Sequence, residues 1–231
     1  MSTADLRPTP VGRPWVIVNM IASIDGATAI DGRSGGLAGP ADSAMFHALR
    51  RLPDVILAGA GTARAENYGP VVLDDATREE RVARGQRELP RLAVVTARVD
   101  LDPTSRLFSD PDQRPIVITT DDAPAEAVAA IAPVADVIRT GPGPVDLRVA
   151  FAALRDQGAR TVLCEGGPSL NGGLLAADLV DEWCQTITPL LVGGDSARGS
   201  HGPPPGVATR LKLSRVIEDE DFLLLRYARE S

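Results

Sequence analysis

The segment Glu165-Gly166-Gly167-Pro168-Ser169-Leu170-Asn171-Gly172-Gly173 carries the clearest chemical signal in the chain. Two glycines between an apolar run and a helix-forming run let backbone N–H groups come close to a ligand. The helix N-terminus behind them favours negative charge, so a pyrophosphate suits the turn. A tight turn with no ligand suits it as well, and the spacing leaves both open. It is not the GxGxxG spacing of the standard dinucleotide fingerprint. Gly59-Ala60-Gly61-Thr62 is a second turn of the same character, and two such turns on one sheet edge point to a dinucleotide. Asn19 interrupts an apolar run, and a buried amide needs partners, from a neighbouring loop or from a ligand. Asp25, in Ser23-Ile24-Asp25-Gly26, reads as a turn residue or a catalyst. Arg50, beside Arg51 at a helix end, either complements the helix dipole from solvent or binds an anion. Arg98, just after Thr96, is a surface residue or a ligand for an adenosine 2′-phosphate.

Other chemistries lack their residues. His47 lies within a helix and His201 in a Pro-rich loop, neither beside a nucleophile signature, which argues against acyl transfer. No Walker A sequence occurs, which argues against nucleoside triphosphate hydrolysis. Cys164 and Cys184 form no CxxC pair and sit in apolar runs, so they read as buried free thiols. With only two His and two Cys, far apart, no metal site is expected.

The elements that must position these groups follow from periodicity. Residues 15–22 (WVIVNMIA) read as a buried strand, and 23–40 as a Gly-, Asp- and Ser-rich loop. Pro40 suits a first helical turn, and Ala41, Ala44, Met45, Ala48, Leu49 and Leu52 recur at helical spacing. Strands are predicted at 54–58, 92–96, 116–120, 134–139 and 161–165, with Thr62 placed to cap the helix after the first of these five. Residues 66–90 read as irregular, with a short surface helix around 78–84. Helices are predicted at 124–131, at 146–158 between the cap Asp146 and the stop Gly158, and from Pro168 through Ala177. Then the pattern changes to a long strand-like run, 182–192, a Gly- and Pro-rich loop, 193–208, and a hairpin of 211–217 with 222–227. Alternating strands and helices followed by strands alone imply an α/β sandwich, mostly parallel, with an antiparallel C-terminal hairpin. Ligands in such sheets gather beyond the carboxyl ends of the strands, where the glycine turns fall.

The chain has 231 residues, 44% apolar and 24% charged, enough for a proper core in one domain. We expect a flexible segment over 1–14 and a single domain over 15–231. Lys plus Arg is 24 and Asp plus Glu 31, a net charge of −7, which suits neither a phosphate backbone nor an extended nucleic-acid surface. Aromatics are only 3%, too few for a base-stacking platform. No signal core or membrane-length apolar stretch is present, so a cytoplasmic protein with no membrane partner is expected.

Several blocks together resemble one family. NMIASIDG (19–26), Gly39-Pro40 through Arg50, AGAGTARAEN (58–67), EGGPSLNGGLL (165–175) and PLLVGGDSARG (189–199) run in the order of the reductase domain of riboflavin biosynthesis, and the resemblance covers most of 15–228. That family is similar in fold to dihydrofolate reductase, a three-layer sandwich. The sequence opens almost directly on the reductase strand, so a stand-alone reductase domain without the deaminase half of bifunctional members is expected. The resemblance implies NADPH-dependent reduction of 5-amino-6-(5-phosphoribosylamino)uracil to its ribityl form, and a homodimer. It assigns the cofactor to Gly61, Thr62, Glu66, Thr96 and the run 166–173, including Gly166, Gly167, Pro168, Ser169 and Leu170. It assigns the substrate to Ser34, Arg50 and Glu165. It puts Asn19 near the reacting sugar and makes Asn19, Glu165 and Asp25 the catalytic candidates, with Glu165 orienting the pyrimidine or relaying a proton.

One position departs from the pattern. Where many members carry an Arg that helps to hold the substrate phosphate, this chain has Leu73. A related pyrimidine or pteridine, such as dihydrofolate, is therefore an alternative substrate. A catalytically silent NADP-binding protein is a rival from another class.

Overall fold

The computed structural model describes Arg7 and residues 10–230. Nine strands form one sheet: β1 (Trp15–Ser23), β2 (Val55–Gly59), β3 (Arg91–Val95), β4 (Ile116–Thr119), β5 (Asp136–Arg139), β6 (Thr161–Cys164), β7 (Glu182–Thr188), β8 (Lys212–Asp219) and β9 (Phe222–Ala228). Their order is β5-β4-β3-β2-β6-β1-β7-β9-β8. All pairs from β5 to β7 are parallel, while β9 runs antiparallel to β7 and β8 antiparallel to β9. The expected mixed sheet with its C-terminal hairpin is what the chain forms.

Among the described residues six α-helices cover it: α1 (Pro40–Arg50), α2 (Ala60–Ala65), α3 (Asp75–Ala83), α4 (Ala125–Ile131), α5 (Leu147–Asp156) and α6 (Pro168–Ala176). Alternate residues of each strand feed opposite faces. Val16 and Val18 of β1 join Phe151 and Leu154 of α5 and Leu174 of α6 in one core layer. Trp15 and Ile17 join Leu49 of α1, and Ile56 of β2 joins Ala63 of α2 and Ile131 of α4, on the other face. The result is a three-layer sandwich. The central strands read as unbroken apolar runs because both faces are covered.

Four local expectations are corrected. Gly59, not Thr62, is the N-cap of α2, because the strand runs straight into the helix and leaves Thr62 inside it. The long run at 182–192 pairs as a strand only to Thr188, since Pro189 brings no N–H to the ladder. The helix expected at 78–84 starts at Asp75, capped by the Asp74 carboxylate accepting from the Thr77 N–H. Nor is it purely a surface helix. Arg81 is fully buried, donating to the carbonyls of Arg51, Arg87 and Glu88, and burial lowers its pKa to about 10. It thereby binds the C-terminal end of α1 to α3.

The segment expected at 1–14 falls largely outside the described residues. Of its described part, Arg7 forks onto the buried Glu182 at 2.7 and 2.8 Å. Arg13 forks onto Asp181, which raises the Arg13 pKa. Cys164 and Cys184 are buried free thiols, each pushed up to about 12 by burial.

Candidate active site

A cleft of about 310 Å³ opens beyond the carboxyl ends of β1 and β6. Asn19, Met20 and Ile21 of β1 lie along it, with Asp42 and Phe46 of α1 on one side. Gly61, Thr62 and Glu66 at α2, and Gly167 with Pro168 at the start of α6, stand on the other. Both glycine turns therefore face one space, as the sheet topology requires.

The turns also touch each other. The Gly59 N–H donates to the Gly166 carbonyl at 2.8 Å. A Cβ on Gly167 would stand 2.7 Å from the Thr62 hydroxyl, so any larger residue would force Thr62 or the turn to shift. A Cβ on Gly61 would meet nothing within 4 Å and would project into open space at the cleft. Small residues thus line a trough at the N-terminus of α6, where N–H groups lacking helical partners favour an anion.

Glu165 forms the cleft's end between the two halves. Its carboxylate accepts from Arg50 Nε and Nη2, both at 2.7 Å, and from the Tyr68 hydroxyl at 2.5 Å. The Glu165 side chain is 3% exposed and that of Arg50 20%. The Arg50 guanidinium also lies over the Phe46 ring, 4.2 Å from its centroid, and nearer the Tyr68 ring than 6 Å, at 5.4 Å. Burial works against the Arg50 charge, but the bonds to Glu165 outweigh it and raise its pKa. Burial first, and the Glu165 charge second, push the Tyr68 phenol well above its ordinary value, so it serves as a neutral donor.

The opposite lip is held by Glu66, whose Oε1 accepts from both the N–H and the hydroxyl of Ser34 at 2.9 Å. The 193–208 loop closes above. Thr28 donates through its N–H to the Ser196 hydroxyl and through its own hydroxyl to the Ala197 carbonyl. Asn171 Nδ2 donates to the Gly199 carbonyl, and the His201 N–H to the Pro168 carbonyl.

The structure thus gathers Asn19, Ser34, Gly61, Thr62, Glu66, Glu165, Gly167 and Pro168 around one cleft. Gly166 is the buried hinge below it. Other candidates are not among its lining residues. Asp25 accepts from the Ser23 hydroxyl and from the Val192 and Gly193 N–H groups, which hold its carboxyl down to about 2. That arrangement anchors a loop. The Thr96 hydroxyl accepts from the Val99 N–H, shaping a turn after β3. Ser169 is exposed, and Leu170 packs into the core against α5. Arg50 reaches the site through Glu165 rather than by lining it. Arg98 is exposed, and Leu73 packs against the α2 and α4 core.

Three residues of the site were not singled out from sequence. Tyr68 sits in a segment read as irregular. Asp42 and Phe46 share the helix whose apolar face drew attention, and with Arg50 they repeat every four residues along a neighbouring stripe. Burial raises the Asp42 carboxyl above the usual range, partly offset by the Thr186 hydroxyl. Among the described residues, no cluster of His, Cys, Asp and Glu could hold a metal ion, and no helix is long and apolar enough to cross a membrane.

A doubly covered, mostly parallel sheet with paired glycine turns over a cleft defines an α/β domain built for a small-molecule ligand. The chain belongs to the RibD C-terminal domain family, whose pattern matches residues 14–224. It is 32% identical over 220 residues to the 2,5-diamino-6-ribosylamino-4(3H)-pyrimidinone 5′-phosphate reductase of Methanothermobacter thermautotrophicus, covering 93% of this chain and 98% of that one. Its fold is similar to that of a pyrimidine reductase-like protein from Corynebacterium diphtheriae, with a TM-score of 0.85 and 30% identity over 93% of this chain and 91% of that one. The riboflavin biosynthesis reductase Rib7 of Saccharomyces cerevisiae shares the fold at a TM-score of 0.68 and 21% identity, over 96% of this chain and 92% of that one. The dihydrofolate reductase-like sandwich is therefore the architecture of this chain.

Proposed function

We propose that the protein is an NADPH-dependent reductase that opens the sugar of a phosphoribosylamino-pyrimidine to a ribityl chain. The observation that carries this is the meeting of the two glycine turns, Gly59 against Gly166, beside a cleft that ends in the paired carboxylate Glu165. The names of the relatives point the same way.

The residues present fit the cofactor. The open space above Gly61 and the exclusion of a Cβ at Gly167 make a cradle that a larger side chain would fill. Gly61, Thr62 and Gly167 would hold the pyrophosphate through backbone N–H groups and the Thr62 hydroxyl, with Pro168, which has no N–H, opening the helix beside them. When bound, NADPH supplies the hydride for the first ribose carbon. The protein's own part is position and proton handling. Asn19 Oδ1 is buried without a hydrogen-bond partner among the described residues, on the strand that floors the cleft. It is available to a substrate N–H or hydroxyl. Glu165, fixed by Arg50 and Tyr68, orients the heterocycle or relays the proton that the imine nitrogen must gain as its carbon takes the hydride. A homodimer belongs to the same reading: β8 is exposed along nearly its whole length and offers an edge to a second copy.

One observation favours a second reading. Among the described residues lining the cleft there are three carboxylates, Asp42, Glu66 and Glu165, and no Lys or Arg. With Leu73 in the core, such a cleft suits an unphosphorylated heterocycle such as dihydrofolate. The test follows NADPH absorbance with purified protein, supplying the phosphoribosylamino-pyrimidines and dihydrofolate in parallel. Oxidation with a pyrimidine supports the first reading, and oxidation with dihydrofolate alone supports the second. NADPH binding without turnover of either would make this a silent NADP-binding protein.

A further inference from the structure

We propose that Asp42, with Phe46 one turn further along α1, reads the base of the substrate and selects a 2-amino-4-oxopyrimidine over a uracil. This rests on the reading of the cleft as a heterocycle site, and it concerns which heterocycle.

The three carboxylates of the cleft differ in what already occupies them. Glu165 is neutralised by the Arg50 fork and takes a third bond from Tyr68. Glu66 is held by Ser34 at the lip beside α2, on the trough side. Among the described residues no cation pairs with Asp42; its carboxyl is raised by burial, with the Thr186 hydroxyl acting to lower it. A partly buried carboxylate without a cation gains most from new N–H donors.

What stands beside it narrows the donor. Asp42 and Phe46 are separated by four residues, so they lie on one face of α1, and both line the cleft. Arg50, four residues on again, covers one face of the Phe46 ring. An aromatic ring and a carboxylate side by side suit a flat heterocycle that stacks on the one and presents a donor edge to the other. A 2-amino-4-oxopyrimidine offers the ring N3–H and the 2-amino group as adjacent donors, matching both oxygens of a carboxylate. In uracil the same N3–H lies between two carbonyls, so the second carboxylate oxygen faces an acceptor. The two chemistries are those named among the similar proteins: a diaminopyrimidinone substrate for the Methanothermobacter reductase, and a uracil for a Thermotoga maritima enzyme whose fold this chain shares.

The variant that tests this is Asp42→Asn, which keeps the shape and replaces one acceptor by a donor. An amide pairs well with the N3–H and carbonyl of uracil and poorly with two donors. The ratio of kcat/KM for the diaminopyrimidinone substrate over the uracil substrate should exceed about tenfold in the wild type, and should fall by about tenfold or more in the variant. NADPH affinity, unchanged, reports that the variant is folded. A second arm needs no turnover. Isocytosine and uracil are titrated against the intact protein by NMR. Wild type should prefer isocytosine, and Asp42→Asn should lose or reverse that preference. Failure of all turnover with a retained isocytosine preference would overturn the reductase reading and leave the role of Asp42 standing. Equal affinities in the wild type, binding of neither base up to the solubility limit, or a preference unchanged by Asp42→Asn would each overturn the role of Asp42.

Discussion

Arg50 and Glu165 lie 115 residues apart in the chain and meet through two parallel bonds of 2.7 Å. The pair joins the last turn of α1 to the loop leaving β6, so it fixes the α1 side of the cleft to the α6 side. Removing one partner strands the other. Arg50→Ala leaves a carboxylate that is 3% exposed without its cation, and should cost about 2–4 kcal/mol, reduced from a fully buried pair because Arg50 is partly solvated. Arg50→Lys keeps the charge and loses the fork, and should fall between. Urea denaturation measures both, and a loss under 0.5 kcal/mol for Arg50→Ala, the scale of ordinary surface changes at about ±0.5, would show that the pair holds nothing together.

Tyr68 gives a pH signature. Its phenol is raised above the ordinary 10.0 by burial and by Glu165, so the folded state holds the proton more tightly than the unfolded state. The stabilisation it brings is fully present below pH 10 and is lost as pH rises toward the folded value. The difference in Tm between wild type and Tyr68→Phe should therefore shrink on the alkaline side of that point and stay level from neutral pH up to it. A difference that grows with alkalinity contradicts the bond to Glu165.

Gly167→Ala would press a Cβ against the Thr62 hydroxyl at 2.7 Å. The turn must shift, and NADPH should bind about tenfold more weakly or worse, roughly 1.4 kcal/mol. Fluorescence titration with NADPH reads this directly. Affinity equal to wild type would remove Gly167 from the cofactor cradle.

Gly172, in the second glycine pair of the motif, has a different task. A Cβ on Gly172 would lie 2.1 Å from the His201 carbonyl oxygen, inside any contact distance. Gly172→Ala should lift the 193–208 loop from α6 and cost about 1–3 kcal/mol. Hydrogen exchange at the His201 N–H, which donates to Pro168, should accelerate. Exchange as slow as in wild type would mean that the loop is seated by other contacts.

That division explains what the sequence made legible. The alternation of apolar runs and helices was enough for the sheet and its hairpin, and the Gly-Gly turn after β6 marked the cleft. Gly172 and Gly173 looked like more of the same ligand-binding motif, because close approach to a loop, as at Gly172, or to a neighbouring helix, as at Gly173 against Leu147, asks for the same residue as close approach to a ligand. Tyr68 carried no periodic signal in a segment without one. Asp42 and Phe46 were overshadowed by the apolar face of their own helix, although their spacing with Arg50 was in plain view. Asp25 and Thr96 have short polar side chains that shape turns as readily as they bind ligands, and here they hold the loops at Val192 and Val99.

The place of β1 in the sheet has a consequence for how the molecule comes into being. Among the described residues its strand partners are β6 and β7, both made later in synthesis, while β2, β3, β4 and β5 can pair among themselves beforehand. A strand as apolar as Trp15–Ser23 has no such partner until β6 and β7 have been made, an interval in which such segments invite aggregation or a chaperone. β1 is made before both of the strands it pairs with, and the cleft it floors exists only once the sheet has closed around it.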